Sequence, residues 1–189
     1  MAATIQRKRF SVDDYEKMVI SGILDEDERI ELIDGEVRCM SPIGSFHYSV
    51  VNLLNRHLVP MVGDAGIVSI QNPIQLDDYT QPQPDIAIFR WREDYYHYAK
   101  PTPRDILLVI EVSDSSLNYD RNEKLPRYAQ AEIPEVWIVD LDEDRKVIEQ
   151  YSSPVDGRYA EQKTLATSES IISVSLPSVI RLNISDVFR

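Results

Sequence analysis

The run Ile106-Leu107-Leu108-Val109-Ile110, followed at once by Glu111-Val112-Ser113, constrains this chain more than any other segment. Five successive aliphatic residues leave no polar face, so a strand built from them is buried on both sides. Such a strand sits inside a sheet with cover above and below, which argues for an α/β class. A carboxylate ending it is rarely buried without a partner. A second segment repeats the arrangement, because Pro84-Asp85 opens the apolar stretch Ile86-Ala87-Ile88-Phe89. Proline holds the backbone extended and is tolerated at a strand start.

The remaining elements follow from local signals. Ser11 is a good N-cap, with Asp14 at the third helical position and Phe10 and Tyr15 placed as a hydrophobic staple, so a helix is expected over about 12–21. Asp25-Glu26-Asp27-Glu28 reads as a solvated acidic loop. Ile30–Ile33 and Glu36–Met40 flank Asp34-Gly35, a strong hairpin signal. Val50, Val51, Leu54 and Leu58 give residues 45–62 a helical apolar face. Strands are expected over Gly66–Leu76, Pro84–Phe89 and Ile106–Val112, with a Tyr- and charge-rich loop over 91–105. Asp120 or Asn122 opens a helix to about Ala131, with Pro126 near its first turn. Val136–Leu141 and Val147–Tyr151 form a second hairpin, and two further short strands and a turn follow. The sum is one domain over 1–189, a mixed sheet flanked by helices.

If the strands of Asp85 and Glu111 are neighbours, they lie ~4.8 Å apart. Two like charges at that distance repel by roughly 3 kcal/mol at an effective dielectric near 20. A bound cation or a shared proton removes that cost, and hard divalent cations such as Mg²⁺ take oxygen ligands. The alternative is that each carboxylate pairs with an arginine. If repulsion dominates, Asp85→Asn stabilises the metal-free protein. Ser113, Ser115 and Ser116 lack a nucleophile elbow and a nearby histidine, which argues against a serine hydrolase.

Several stretches together resemble the Uma-type family of endonucleases, within the PD-(D/E)XK, restriction-endonuclease-like superfamily. They are Glu31-Leu32-Ile33-Asp34-Gly35-Glu36, then Gln83-Pro84-Asp85-Ile86-Ala87, then Ile110-Glu111-Val112-Ser113 through Asp120, Lys124, Tyr128-Ala129 and Ile133-Pro134-Glu135-Val136-Trp137-Ile138-Val139-Asp140. The resemblance implies a restriction-endonuclease-like mixed β-sheet. It implies Mg²⁺ (or Mn²⁺) held by Asp85, Glu111 and the Val112 carbonyl, and a site in which Asp85, Glu111, Lys124 and Glu31 act together on a phosphodiester of DNA. In the superfamily the lysine stands two residues after the second acid. Here that position is Ser113, so the resemblance moves the charge to Lys124 on the following helix. The bland reading of Lys124 is a solvated lysine paired with Asp120, and that of Glu31 a solvent-facing strand residue. His47 reads as structural, or as a hydrogen-bond donor to a phosphate or carboxylate. Tyr128 reads as packing that holds the lysine.

The net charge of −12 stands against a nuclease. Nucleic-acid binders concentrate positive charge. Two clusters are candidates: Arg90, Arg92, Lys100 and Arg104 around Trp91, Tyr95, Tyr96 and Tyr98, and Arg121, Lys124 and Arg127 on the helix. The competing expectation is a catalytically idle, homodimeric assembly module of the same fold, and an RNA substrate would use the same site. No aliphatic run approaches a membrane span. Arg7-Lys8-Arg9 is not followed by an apolar stretch, so no secretory signal is expected. A lone Cys39 offers neither a disulfide framework nor a cysteine metal site, which fits the cytoplasm.

Overall fold

The structure, a computed structural model, describes residues 7–25, 28–176 and 178–188, so Glu26 and Asp27 of the acidic run lie outside it. The aliphatic run forms β5 (Ile106–Ser113), buried at every position. It pairs antiparallel with β4 (Ile86–Arg90) and parallel with β6 (Glu135–Asp140). With β3 (Gly66–Ile70), β7 (Val147–Val155) and β8 (Arg158–Ala166) they make one mixed six-stranded sheet in the order β3-β4-β5-β6-β7-β8. Parallel neighbours need a crossover. Here it is helical: α3 (Leu117–Tyr119), a π-helical turn (Asp120–Lys124) and α4 (Leu125–Gln130).

Both faces of β5 are covered. Leu108, Ile110 and Val112 pack in one cluster with Val50, Val51, Leu54 and Leu58 of α2 (Ser45–Val62). Val109 packs on the other face with Tyr128, Ile133, Val136 and Ile138. Strand alternation puts Glu111 on the Val109 side, under the crossover. A small third cluster joins Val12 and Tyr15 of α1 (Val12–Ile20) to Ile30 and Leu32 of β1 (Ile30–Ile33). β1 pairs with β2 (Glu36–Cys39) around Asp34-Gly35, both left-handed (φ 51° and 76°), which is what a tight hairpin requires. The Ser11–Asp14 capping box is formed.

Three expectations are corrected. The strand expected over Gly66–Leu76 ends at Ile70, because Gln71 turns left-handed (φ 51°); beyond it, Ile74 N–H and Leu76 N–H bond to Pro82 O and Thr80 O. The crossover helix starts early and is interrupted. Pro126 has no N–H to give and its ring crowds the preceding turn. The chain widens just ahead of it, with Leu125 N–H bonding five residues back to Asp120 O. The tail holds three strands rather than two: the long β8, then β9 (Ser170–Ile172) paired with β10 (Arg181–Asn183). As an edge strand β8 is mostly exposed, so its sequence lacks an apolar face to read. Among the described residues, no helix is long and apolar enough to cross a membrane.

The tail is fastened by Glu135 at the start of β6. This fully buried carboxylate accepts hydrogen bonds from Trp137 Nε1 (2.7 Å), Gln150 Nε2 (2.7 Å), Ser173 Oγ (2.6 Å), and Ser175 N (2.9 Å) and Oγ (2.8 Å). Glu135→Ala strands several buried donors at once, each costing about 1–3 kcal/mol. The expected result is a loss of roughly 3 kcal/mol or more, read as a lower urea midpoint at an unchanged slope.

Candidate active site

The ladder between β4 and β5 ends with Ile86 opposite Ile110. One step further, the same register sets Asp85 across from Glu111. Both carboxylates line one cleft where the sheet opens, near enough for the Asp85 charge to act on Glu111. Asp85 Oδ2 takes the Val112 backbone N–H at 2.9 Å and His47 Nε2 at 3.1 Å, and Gln71 Nε2 donates to its Oδ1 at 3.2 Å. Burial raises the Asp85 pKa, but the His47 hydrogen bond and charge, with Val112 N–H and Gln71, outweigh it and leave the carboxyl below its usual 3.8. The opposite happens at Glu111. Burial dominates there, Asp120 and Asp85 add repulsion, and the pKa is pushed up to about 8 despite Lys124.

Lys124 closes the site from the crossover. Its Nζ lies 2.7 Å from Glu111 Oε1, 3.5 Å from Glu31 Oε2 and 4.0 Å from Asp120 Oδ1. Burial alone would lower its pKa, yet these carboxylates together raise it, so the lysine is charged. The wide π turn places Asp120 and Lys124 inward together, both buried. Ser113 and Ser116 Oγ each donate to Asp120 Oδ2 at 2.7 Å, tying the strand end to the turn that carries the lysine. Ser113, two residues after Glu111, therefore helps to fix the turn that carries Lys124.

The corrections are specific. Glu31 is 1% exposed rather than solvent-facing, accepting from Gln83 N–H (3.0 Å) and Tyr119 OH (2.9 Å). Lys124 is no surface lysine, and among the described residues neither Asp85 nor Glu111 pairs with an arginine. Tyr128 does more than pack, since its hydroxyl donates to Glu111 Oε1 at 2.5 Å. The basic loop does not surround the site. It follows the far end of β4 and precedes the far end of β5, about 15–20 Å of strand away. Three of its four cations are also engaged: Arg92 with Asp94, Lys100 with Glu16, Arg90 with the Arg104 carbonyl. Arg121 is held by Glu149 and Arg127 by Asp34. A cleft of about 300 Å³ does open over Glu31, Asp85, Glu111 and Lys124, and its arginines are Arg29 and Arg38. Sequence reasoning missed these two, along with Gln71 and Tyr119. A contact across the hairpin or the sheet edge leaves no periodicity to detect.

Among the described residues no hydrogen bond reaches Glu111 Oε2, and no group of three or more His, Cys, Asp or Glu is arranged to hold a metal. The cleft offers hard oxygen donors, the carboxylates of Asp85 and Glu111 with those of Glu31 and Asp120 beside them, and Val112 also lines it. That set suits an ion which keeps waters and takes only one or two carboxylates, as Mg²⁺ does.

The charge states set the pH response of the metal-free protein. Glu111 binds its proton more tightly when folded, so its contribution is full below about pH 4.5 and is lost as pH rises through about 8. Asp85 acts in the other sense, its contribution vanishing as pH falls through and below 3.8. With EDTA present, Glu111→Gln is expected to flatten the decline of the melting temperature towards pH 8. The repulsion-relief expectation for Asp85→Asn is reversed. With its oxygen towards Val112 N–H and His47, an asparagine turns its NH₂ against the Gln71 donor and removes the charge that His47 faces, so a destabilisation of about 1–3 kcal/mol is expected in denaturant melts.

Comparison with curated proteins gives no match. A solved structure described as "a putative nuclease belonging to DUF820 from Anabaena variabilis ATCC 29413" superposes with a TM-score of 0.67, covering 95% of this chain and 97% of that one at 18% identity. At that identity the likeness carries the fold alone, which is restriction-endonuclease-like. Residues 12–185 match the profile of the Uma2 family, described as "Putative restriction endonuclease", and the chain belongs to that family.

Proposed function

We propose that the cleft is a divalent-metal-dependent phosphodiesterase centre, acting as an endodeoxyribonuclease. The observation that carries this reading is the meeting of Asp85, Glu111 and a charged Lys124 in one cleft, from three separate elements. Asp85, Glu111 and the Val112 carbonyl would hold Mg²⁺ or Mn²⁺, which supplies Lewis acidity at the phosphate and acidifies a water. Lys124 donates from a fixed position, orienting that water or compensating charge that develops on the phosphoryl oxygens. Glu31, held by Tyr119 and Gln83, gives the ammonium a second carboxylate at 3.5 Å and helps to fix its position. His47 and Gln71 fix the orientation of Asp85. A reducing cytoplasm suits the single exposed Cys39.

A second reading, the idle homodimeric module, draws on the net charge of −12 and on the engaged surface cations. Cleavage assays with sedimentation separate the two. With Mn²⁺ or Mg²⁺, wild-type protein should cut DNA, and Lys124→Met should lose about 10²-fold or more in rate. Calorimetric metal affinity should hold or rise in Lys124→Met, because a competing cation is gone, and should fall in Glu111→Gln. A dimer that cuts no DNA under any of these conditions would favour the idle module. Wild-type rates in Lys124→Met would remove the lysine from the reaction.

A further inference from the structure

We infer, resting on the nuclease reading above, that the cleft takes a single DNA strand or a frayed strand end rather than an intact duplex. The first reason is depth. The cleft has a volume of about 300 Å³, yet Glu31, Asp85, Glu111 and Lys124, which line it, are only 1%, 6%, 3% and 3% exposed. A phosphate must enter the protein to reach them. Duplex DNA is stiff, with a persistence length of about 50 nm, so bending it to bring one phosphate inward carries an elastic cost that a single strand does not. Drawing one nucleotide inward costs least where the strand is already unpaired.

The second reason is charge. Affinity for a duplex rests on many phosphate contacts along its backbone. The two basic clusters cannot supply such a track. Arg121 and Arg127 are mostly buried against Glu149 and Asp34, and the aromatic loop that carries Arg92 and Lys100 follows the opposite end of β4 from Asp85.

The third reason is the composition of the cleft wall. Arg29 and Arg38 line it, together with Met40, Pro42 and Ile43. Arg38 is paired with Glu36 at 2.7 Å, but that pair is largely solvated, so a phosphate can take its place at little cost. Arg29 donates to the Ser41 carbonyl at 2.8 Å, which keeps its guanidinium near the cleft. Two cations are enough to grip the phosphates flanking a scissile one, and the apolar side chains offer a surface to a sugar or an unpaired base. Short, local contacts of this kind suit one strand.

The test uses one labelled oligonucleotide in three forms: single strand, blunt duplex, and duplex with an unpaired tail. Cleavage is read in Mn²⁺ and binding in Ca²⁺ over a range of salt. The single strand and the tail are expected to be cut roughly tenfold or more faster than the paired body. Arg29→Ala combined with Arg38→Ala should weaken single-strand binding and make its salt dependence shallower by about 0.7 in slope for each phosphate no longer neutralised. Arg92→Ala, on the distant loop, should change neither. A blunt duplex cut internally at the single-strand rate would overturn the inference and leave the nuclease reading standing. No cleavage of any form, but selective binding of the single strand, would support the inference and overturn catalysis. No cleavage and no such selectivity would overturn the inference as well.

Discussion

Lys124 sits almost wholly out of water with its Nζ 2.7 Å from a carboxylate that ends an otherwise hydrocarbon strand. An ammonium in such a place needs partners for its protons, and a buried pair stripped of one member costs several kcal/mol. Much of the local structure answers that need. Pro126 forces the crossover to widen, and the widened turn brings Asp120 and Lys124 inward together. Ser113 and Ser116 clamp Asp120, Tyr119 and Gln83 hold Glu31, and Tyr128 shares Glu111 with the lysine. A polar network satisfied in this way fixes one geometry in a core that hydrocarbon packing alone would leave looser.

The network is not electrically balanced. Four buried carboxylates, those of Glu31, Asp85, Glu111 and Asp120, share the site with one ammonium, a formal excess of three negative charges before any carboxylate takes up a proton. The protein spreads the strain unevenly. His47, Gln71 and the Val112 N–H keep Asp85 ionised, while burial pushes Glu111 towards its neutral form. Two carboxylates facing each other across one ladder are thus driven in opposite directions by their surroundings, a pattern typical of reactive sites. An anionic cleft repels a phosphodiester. Under the proposed function, a cation held by Asp85 and Glu111 would reverse that, replacing the proton of Glu111 and letting the cleft hold phosphate. Local charge sets the outcome, since the charges elsewhere on an acidic protein are screened beyond about 8–10 Å.

Much of this was legible in the sequence where burial and local turn chemistry coincide. The aliphatic run marked β5 as an interior strand, Asp34-Gly35 marked the hairpin, and the capping box marked α1. The positions of Asp85 and Glu111 at strand ends were readable because a carboxylate beside hydrocarbon is conspicuous. The lysine was harder. Nothing in its own surroundings separates it from a solvated helix lysine, and only the family resemblance singled it out. The basic loop misled because nearness in sequence to β4 and β5 says nothing about which end of the strand a loop joins. The partner of Glu31 and the arginines of the cleft depend on how the hairpin docks against the crossover, a tertiary fact with no local signature. β8 escaped because an edge strand exposed on most of its length carries no alternation.

The central claim is that the unequal carboxylate pair exists to hold a divalent cation against Lys124. Anomalous diffraction from crystals soaked in Mn²⁺ tests it most directly. The expected result is a single strong peak within bonding distance of both Asp85 and Glu111 carboxylates, with Lys124 beside it but not ligating. A peak elsewhere on the surface, or none at these residues while Lys124 keeps its bond to Glu111, would contradict the account.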